Sequence, residues 1–483
     1  MKRNNIARMV VKDAQRMFDA ASGGRLQASF DASGYTIDQV IYAELDTLRG
    51  RARNQGRNND YVRRFRQLLR VNILGHAGFA LRSLVTDWEG QPDRLARQAI
   101  EQRWKVWCKR HKLTAKLRTA INSMPTDGEA LVYTEAHRDG LRVRLLDPAL
   151  LDTAYNVNES GKNLIRFGIE YDAFDEPVAY HLNEDYSHHH PGVGQHGASA
   201  GVNRKRIPAG QIHHLFFAEW VGQRRGLPWI ASSMARLFQA HQLEYAAVTA
   251  HRIGAAKMGF FKEENGEEYT GDGESGDMAL NAEAGTFENI GSLDFVPFDP
   301  TYPAGEFTQV HDQHLRATAA GWGMDFHTLA NKLSDVNYSS ARVGLLETRE
   351  FYKELQEWVV ESVIEPLFAA WLELELLAGR ITVPTRTGPK ALKRELAYYL
   401  PANFVGRRWA WVDPQKEAAA KKTEVEMRST SLSQVIRERG DDPEDVFAEI
   451  ADEQARMKAL GITPVQVLKP KEASKDGDQQ TQD

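Results

Sequence analysis

Pro228–Phe261, PWIASSMARLFQAHQLEYAAVTAHRIGAAKMGFF, opens on a proline that a first helical turn tolerates and meets no strong breaker until its far end. The pattern predicts one long helix of about thirty residues, spanning about 45 Å at the usual rise per residue. Ala231, Ala235, Ala246, Ala247, Ala250, Gly254, Ala255 and Ala256 leave little bulk on it, so neighbouring helices can approach closely. A lone buried helix would carry larger side chains.

Downstream, KEENGEEYTGDGESGD (Lys262–Asp277) reads as an acidic, glycine-rich loop, followed by a hairpin-like GTFENIGSLDFVPFD and a second helix from Glu306 to Gly321. The two helices thus bracket a small insertion. DFHTLANKLSDVNYSSAR is a loop by its Asn, Asp and Ser content, and a helix from Ser339 to Ala378 follows, kinked by Pro366 and closed by Gly379 in the C′ position. Asp413 and Pro414 begin a further helix, and Pro443, with Glu444 and Asp445 in its first turn, begins another that glycine stops. The polar tail beyond Lys469 is expected to be disordered.

Upstream, Gly128–Phe217 shows short alternating runs (ALVYTEA, LRVRLL, LIRFGIEYD, PVAYHL, IHHLFF) between Asp-Gly, Asp-Pro and Asn-rich turns, the signature of an antiparallel sheet region. The first hundred residues read as helical over Asp38–Leu48 and Tyr61–Leu84. Between these, Gly50, Gly56 and the asparagines of LRGRARNQGRNNDYVRR predict a turn flanked by arginines.

Charge is unevenly spread: residues 1–120 hold 24 lysines and arginines against 11 aspartates and glutamates, in a chain of net charge −5. This suits self-association or nucleic-acid contact at one place and not another, although a solvated basic helical face accounts for it equally well. With 483 residues, 42% hydrophobic, the chain can bury two to four compact regions. No run approaches the roughly 18 to 20 apolar residues that cross a bilayer, and MKRNNIARMVVKDAQRMF lacks the apolar stretch of a secretory signal, so no membrane partner is expected. The single Cys108 excludes an intrachain disulfide and reads as a buried, inert thiol.

Gly192, Gly194 and Gly197 spell G-x-G-x-x-G, and Gly197, Ser199 and Gly201 spell G-x-S-x-G, yet neither sits between a strand and a helix as nucleotide binding or a nucleophile elbow requires. His188, His189, His190 and His196 lack a carboxylate or cysteine at ligand spacing, so they read as solvated loop histidines. There is no H-E-x-x-H and no P-loop, and a protein without catalytic residues, metal or cofactor is expected. Trp88, Trp104, Trp107, Trp358 and Trp371 are placed on helices as core, and Trp409 and Trp411 on an extended segment as anchors.

From Arg51 to Met457 the order of segments resembles the lambda-family phage portal proteins: RARNQGRNNDYVRR, LGHAGF, DGEALV, IHHLFF and GQRRGLPWI, then LRATAAGWGMDFHTLANKLSDVNYSSARVGLLETREF, WAWVDPQKEAAA and GDDPEDVFAEIADE. NYSSAR and WVDPQKE are the most specific of these. The histidine- and glycine-rich insert at 187–203 and the short C-terminus depart from typical members.

The resemblance implies an α+β portal fold and a ring, usually of twelve subunits, through which DNA is packaged and later ejected at one capsid vertex. By that likeness 1–50 is an N-terminal helical arm, 51–227 a wing, 228–261 and 306–322 the stem helices, and 262–305 the clip between them. A channel loop follows at 323–340, then a wing spine helix and return at 341–412, a crown at 413–462 and a disordered tail at 463–483. Asn331, Lys332, Ser334, Asn337, Ser339 and Arg342 are implied as DNA-channel candidates, and Glu263, Glu264, Glu267, Glu268, Asp272 and Glu274 as docking candidates in the clip. Implied partners are further copies of the chain, the terminase large subunit, the major capsid protein, head-completion and tail adaptor proteins, and double-stranded DNA passing without sequence recognition. Assembly in the host cytoplasm is implied as well. A sliding duplex needs few tight phosphate contacts, and the loop offers only Lys332 and Arg342 against Asp325 and Asp335. The competing readings are a hydrolase built on the Ser199 loop and a monomeric DNA-binding scaffold.

Overall fold

The computed structural model describes residues 34–183, 204–255, 259–263, 293–297, 307–332, 338–409, 414–439, 441 and 443–462. Helix α1 (Ile37–Asn58) begins on a capping box in which Thr36 Oγ1 accepts from Gln39 N while Gln39 Oε1 accepts from Thr36 N. It runs straight through Gly50 and Gly56, so the turn that these glycines predict is absent. A Cβ on Gly56 would stand 2.6 Å from Thr126 Cγ2, and this close helix packing offsets the roughly 1 kcal/mol that glycine costs a helix. The break comes at Asn59, whose side chain accepts from Tyr61 N and Val62 N and starts α2 (Asp60–Ile73). Helix α2 stops at Ile73, short of the expected Leu84, because Ala80–Ser83 (β1) pairs with a strand far along the chain, Ala402–Val405.

Helices α3 (Arg94–Arg110) and α4 (Leu113–Asp127) lead into two antiparallel sheets. Their strands are β2 (Glu129–His137), β3 (Gly140–Leu146), β4 (Leu164–Arg166), β5 (Ile169–Tyr171), β6 (Pro177–Asn183), β7 (Arg204–Pro208) and β8 (Ile212–Phe216), in the orders β3-β2-β8 and β4-β5-β6-β7. LIRFGIEYD is two strands, since Phe167 and Gly168 take φ of 52° and 80° and reverse the chain. Strand β7, RKRIP, has no apolar alternation to betray it; it is an edge strand, where charge is tolerated.

The long helix shortens at both ends to α5 (Met234–Ala255). At its start Trp229 N and Ile230 N donate to Met124 O and Pro125 O at the end of α4, which holds this stretch out of the helix until the single turn Ala231–Ser233. At its far end GFFKE is strand β9 (Gly259–Glu263), paired antiparallel with β10 (Leu293–Pro297), so that β10 joins β9 and not a neighbour in a local hairpin. Aromatic-rich GFFKE suits a strand better than the alanine-rich run before it.

Helix α6 (Phe307–Gly321) returns along α5, and a short α7 (Phe326–Ala330) occupies part of the expected loop. Asp325 starts α7 by accepting from Thr328 N, and Asn331 closes it at φ 53°. Helix α8 (Tyr338–Val359) passes through a π turn (Val360–Ile364) into α9 (Glu365–Leu377), which carries Pro366 in its first turn; Gly379 follows at φ 63°. The hairpin β11 (Thr382–Thr385) with β12 (Gly388–Ala391), the turn α10 (Leu396–Tyr399) and β13 (Ala402–Val405) bring the chain back to β1. Helices α11 (Pro414–Glu426), α12 (Leu432–Arg439) and α13 (Pro443–Ala459) complete it.

The main core gathers α2, α3, α4, α8, α9 and the feet of α5 and α6 around Trp104, Trp107, Phe368 and Trp371. Trp104 stacks on Trp107 at 5.0 Å and meets Trp371 edge-on at 4.9 Å. Trp358 packs against this core, but Trp88 lies in an exposed turn under Arg394, not on a helix. A second core between the sheets holds Leu131, Tyr133, Tyr171, Tyr180 and Ile207. The described part is therefore a mixed helix and sheet fold.

Candidate functional site

Two adjoining regions carry the features of interest: the polar knot beneath the start of α5, and the arm that α5 and α6 form. At the knot, Glu129 follows Gly128 into β2 and is wholly buried. Gly128 ends α4 at φ 76°, where a Cβ would collide with the Leu227 backbone; at Gly226 a Cβ would collide with Gly128 O. DGEALV and GQRRGLPWI are thus locked together backbone to backbone.

Glu129 accepts from Arg225 Nε (3.0 Å), Arg225 Nη2 (2.5 Å), Arg49 Nη2 (2.8 Å) and Gly226 N (2.9 Å), and its Oε2 lies 3.1 Å from His214 Nε2. Arg225 gives its remaining N–H groups to the carbonyls of Leu151, Phe167 and Pro148, so its whole guanidinium is used. Arg53 extends the network to Asp127 and Asp147. Burial pushes the Glu129 carboxyl up, but Arg225, the His214 contact and Arg49 outweigh it and hold the group well below the usual carboxylate range. Burial lowers His214 against the pull of Glu129, and it lowers His213, whose Nε2 has no partner, to about 4. Arg49 Nε is buried there without a hydrogen bond, 3.7 Å from Asp127 Oδ1, and the network ties α1, the sheets and the approach to α5 to one another.

Four of the eight arginines in the stretch 49–70 are held inside the chain: Arg49 and Arg53 enter the knot, Arg64 donates to Thr328 O, and Arg66 donates to Asn122 O and Gly56 O.

In the arm, Met234 and Leu237 of α5 and Leu315 and Ala319 of α6 are buried in the main core, so the first turns of α5 and the last of α6 form the foot. Trp322 stacks on Phe65 at 4.6 Å to fix that foot. Further out, Glu244 Oε1 lies 2.6 Å from His311 Nε2. Beyond these contacts α5 presents Phe238, Tyr245 (68% exposed) and Val248 outward.

Asn331 and Lys332 lie at the foot of the arm. Lys332 Nζ pairs with Asp312 Oδ2 at 2.6 Å, and Arg342 Nη2 lies 3.5 Å from Glu417 Oε1. Both candidate cations thus have carboxylate neighbours that spacing along the chain did not reveal. Ser339 lies in the first turn of α8, whereas Ser334 and Asn337 lie outside the described residues. Of the clip candidates, Glu263 ends β9 opposite Leu293, and Glu264, Glu267, Glu268, Asp272 and Glu274 lie outside the described residues, as do Trp411 and the histidine loop. Trp409 is the anchor its position predicts, donating from Nε1 to Asn72 Oδ1 at 3.0 Å. Burial pushes the Cys108 thiol up to about 12, in keeping with an inert cysteine. The knot itself escaped sequence reading, although a glutamate amid the apolar residues of β2 is a charge that must find partners.

Among the described residues no group of three or more His, Cys, Asp or Glu side chains could hold a metal ion, and no helix is long and apolar enough to cross a membrane. The family model for "Phage portal protein, lambda family" matches residues 23–356. The chain is 31% identical to the "Probable portal protein" of Halomonas phage phiHAP-1 over 92% of its own length and 88% of that protein's. It is 21% identical to "Portal protein B" of Escherichia phage lambda over 92% and 89% of the two chains. A solved chain described as "Neck of empty GTA particle computed with C6 symmetry" covers 87% of this chain and 99% of its own, at TM-score 0.42 and 14% identity.

Proposed function

The chain belongs to the lambda family of phage portal proteins, and from that premise we propose that its copies close into a ring, of twelve subunits as the family usually has, at one capsid vertex. DNA is packaged through the ring by the terminase motor and later leaves by the same path. Helices α5 and α6 form the stem, residues 262–305 the clip that meets the terminase large subunit and later the head-completion and tail adaptor proteins, and 413–462 the crown inside the head. The wing meets the major capsid protein. The ring assembles in the host cytoplasm and ends in the virion. Its role is mechanical and not catalytic.

The observation that carries this reading is the arm: a rigid foot beneath two antiparallel helices whose outward residues include Phe238, Tyr245 and Val248. Such rings exposed to water in a monomer are explained by a neighbouring copy. The loop at the arm's foot supports a sliding contact. Asp312 and Glu417 offset Lys332 and Arg342, so the phosphates of a passing duplex meet little net positive charge there, and Asn331, Ser334, Asn337 and Ser339 offer only exchangeable hydrogen bonds.

Light scattering of the purified full chain, with negative-stain images, tests the reading. A ring of about twelve subunits with an open channel is expected. A strict monomer at high concentration would overturn it.

A further inference from the structure

Two open cavities flank α4. One, of ≈ 510 Å³, is lined by Arg110, His111, Lys112 and Lys116. The other, of ≈ 650 Å³, is lined by Arg70, His76, Arg118 and Arg407. Neither lining contains a carboxylate, in a chain that carries more acidic than basic residues. Arg49 and Arg53 are paired with carboxylates in the knot, whereas no carboxylate stands among the residues that line either cavity.

The local structure holds these cations where they are. Lys112, in the turn between α3 and α4, takes φ 51° and ψ 43°, a conformation that costs a non-glycine residue roughly 1–2 kcal/mol. Lys116 Nζ donates to His111 O at 2.6 Å. On the other flank Arg118 Nη2 donates to His76 O at 2.7 Å, and Arg407 Nη1 to Val71 O and Asn72 Oδ1 at 2.9 and 2.8 Å. The acceptors are neutral, so they orient the cations without discharging them. Burial, and then Lys112, lowers Lys116; burial, and then Lys116, Arg110 and Arg142, lowers His111. Like charges crowding one another in this way favour a bound anion.

We propose that the two flanks of α4 form a phosphate-binding surface that holds the backbone of duplex DNA without reading its sequence. The identity of the polyanion rests on the portal reading above. Lys116 and Arg118, two residues apart on α4, serve different cavities, which places the two sets of cations about one helix diameter apart, roughly 10 Å. With phosphates about 3.4 Å apart along the axis of each strand, that distance suits a repeating polyanion better than a single ion. The linings hold little besides charge, Val71 and Leu145 being their largest apolar side chains, so they offer no deep pocket to select the side chains of an acidic peptide. Tight cations resist sliding, so this surface serves DNA at rest against the ring and is distinct from the weakly charged loop at the foot of the arm.

The test uses the full chain and a short random-sequence duplex, with affinity read by fluorescence anisotropy between about 50 and 200 mM salt. The double variant Arg110→Gln/Lys112→Gln should lose about tenfold or more in affinity, equally for all sequences, and its salt slope should fall by up to about two. Arg70→Gln, from the other cavity, should lower the slope by about one, and Lys390→Gln, on the β11–β12 hairpin and in neither lining, should change nothing. Unchanged slopes in the cavity variants, with their mass equal to that of the unsubstituted protein, overturn the site while leaving the portal reading intact. Loss of binding to an acidic polyglutamate peptide with DNA affinity unchanged also overturns it, in favour of a protein partner. A monomer that still shows the slope changes keeps the site and removes the ring.

Discussion

Arg225 and Tyr245 lie on one continuous stretch of chain, yet their surroundings are opposites. Every N–H of Arg225 is used within its own subunit, while the Tyr245 ring faces solvent. The knot is closed within the subunit: Arg225, Arg49 and Gly226 all donate to Glu129, and the glycines at 128 and 226 allow the backbones to touch. The arm is incomplete: its foot is packed and its outer face is not. A chain built this way satisfies its charges in one place and leaves apolar side chains exposed in the other.

The strongest attempt to break this comparison is Arg225→Met, which leaves Glu129 buried without its main partner. Unfolding by urea should show a loss of about 3–5 kcal/mol, the usual cost of stranding one member of a buried pair. A loss under about 1 kcal/mol would mean that Arg49 and His214 suffice, and that the knot is redundant.

Acid should come next. His213 titrates at about 4 in the folded protein and near 6.5 when unfolded, so below the higher value the unfolded chain binds more protons. Its contribution is fully present above pH 6.5 and is lost as pH falls towards 4, for a total of about 3 kcal/mol. The lowered His214 acts in the same direction, and Glu129 adds its share below the ordinary carboxylate range. Urea midpoints between pH 4 and 7 should therefore rise with pH, and His213→Leu should flatten the curve. An unchanged slope in that variant would remove His213 as the cause.

Gly56→Ala sharpens the picture at the seam between α1 and α4. The added methyl meets Thr126 Cγ2, and a loss of about 1–3 kcal/mol is expected by thermal unfolding. The double variant Gly56→Ala/Thr126→Ser, which removes the opposing methyl, should recover most of it.

How much of this was legible in sequence follows from the range of the forces involved. Helix ends marked by local chemistry were readable: Gly379 follows the end of α9, and Pro443 begins α13. Between Gly128 and Phe217 the strands showed in their alternation, except β7, whose partner and not its pattern makes it a strand, whereas β1 read as helix because its partner β13 lies far along the chain. The ends of α5 were misread because Met124 O and β10, both distant in sequence, decide them. Gly56 reads as a breaker until Thr126 is seen against it. The pairs Glu129–Arg225 and Lys332–Asp312 are formed by tertiary structure alone, and charge counts cannot divide the arginines of the first 120 residues into those consumed and those left at cavities.

The smallest expected effect on folding bears most directly on the arm. Phe238→Ser/Tyr245→Ser removes two exposed rings, so the urea midpoint of the dissociated subunit should move by no more than about 0.5 kcal/mol, as surface changes usually do. If the outer face of α5 is finished by a neighbouring copy, the same variant should lose its ring in light scattering while its circular dichroism stays unchanged. Buried aromatic side chains dominate interfaces of this kind, and each subunit in a closed ring meets two neighbours, so the loss is repeated around the whole circle. A variant that keeps both its stability and its ring would show that α5 turns these residues towards something else, and the contrast between a finished knot and an unfinished arm would fail at the arm.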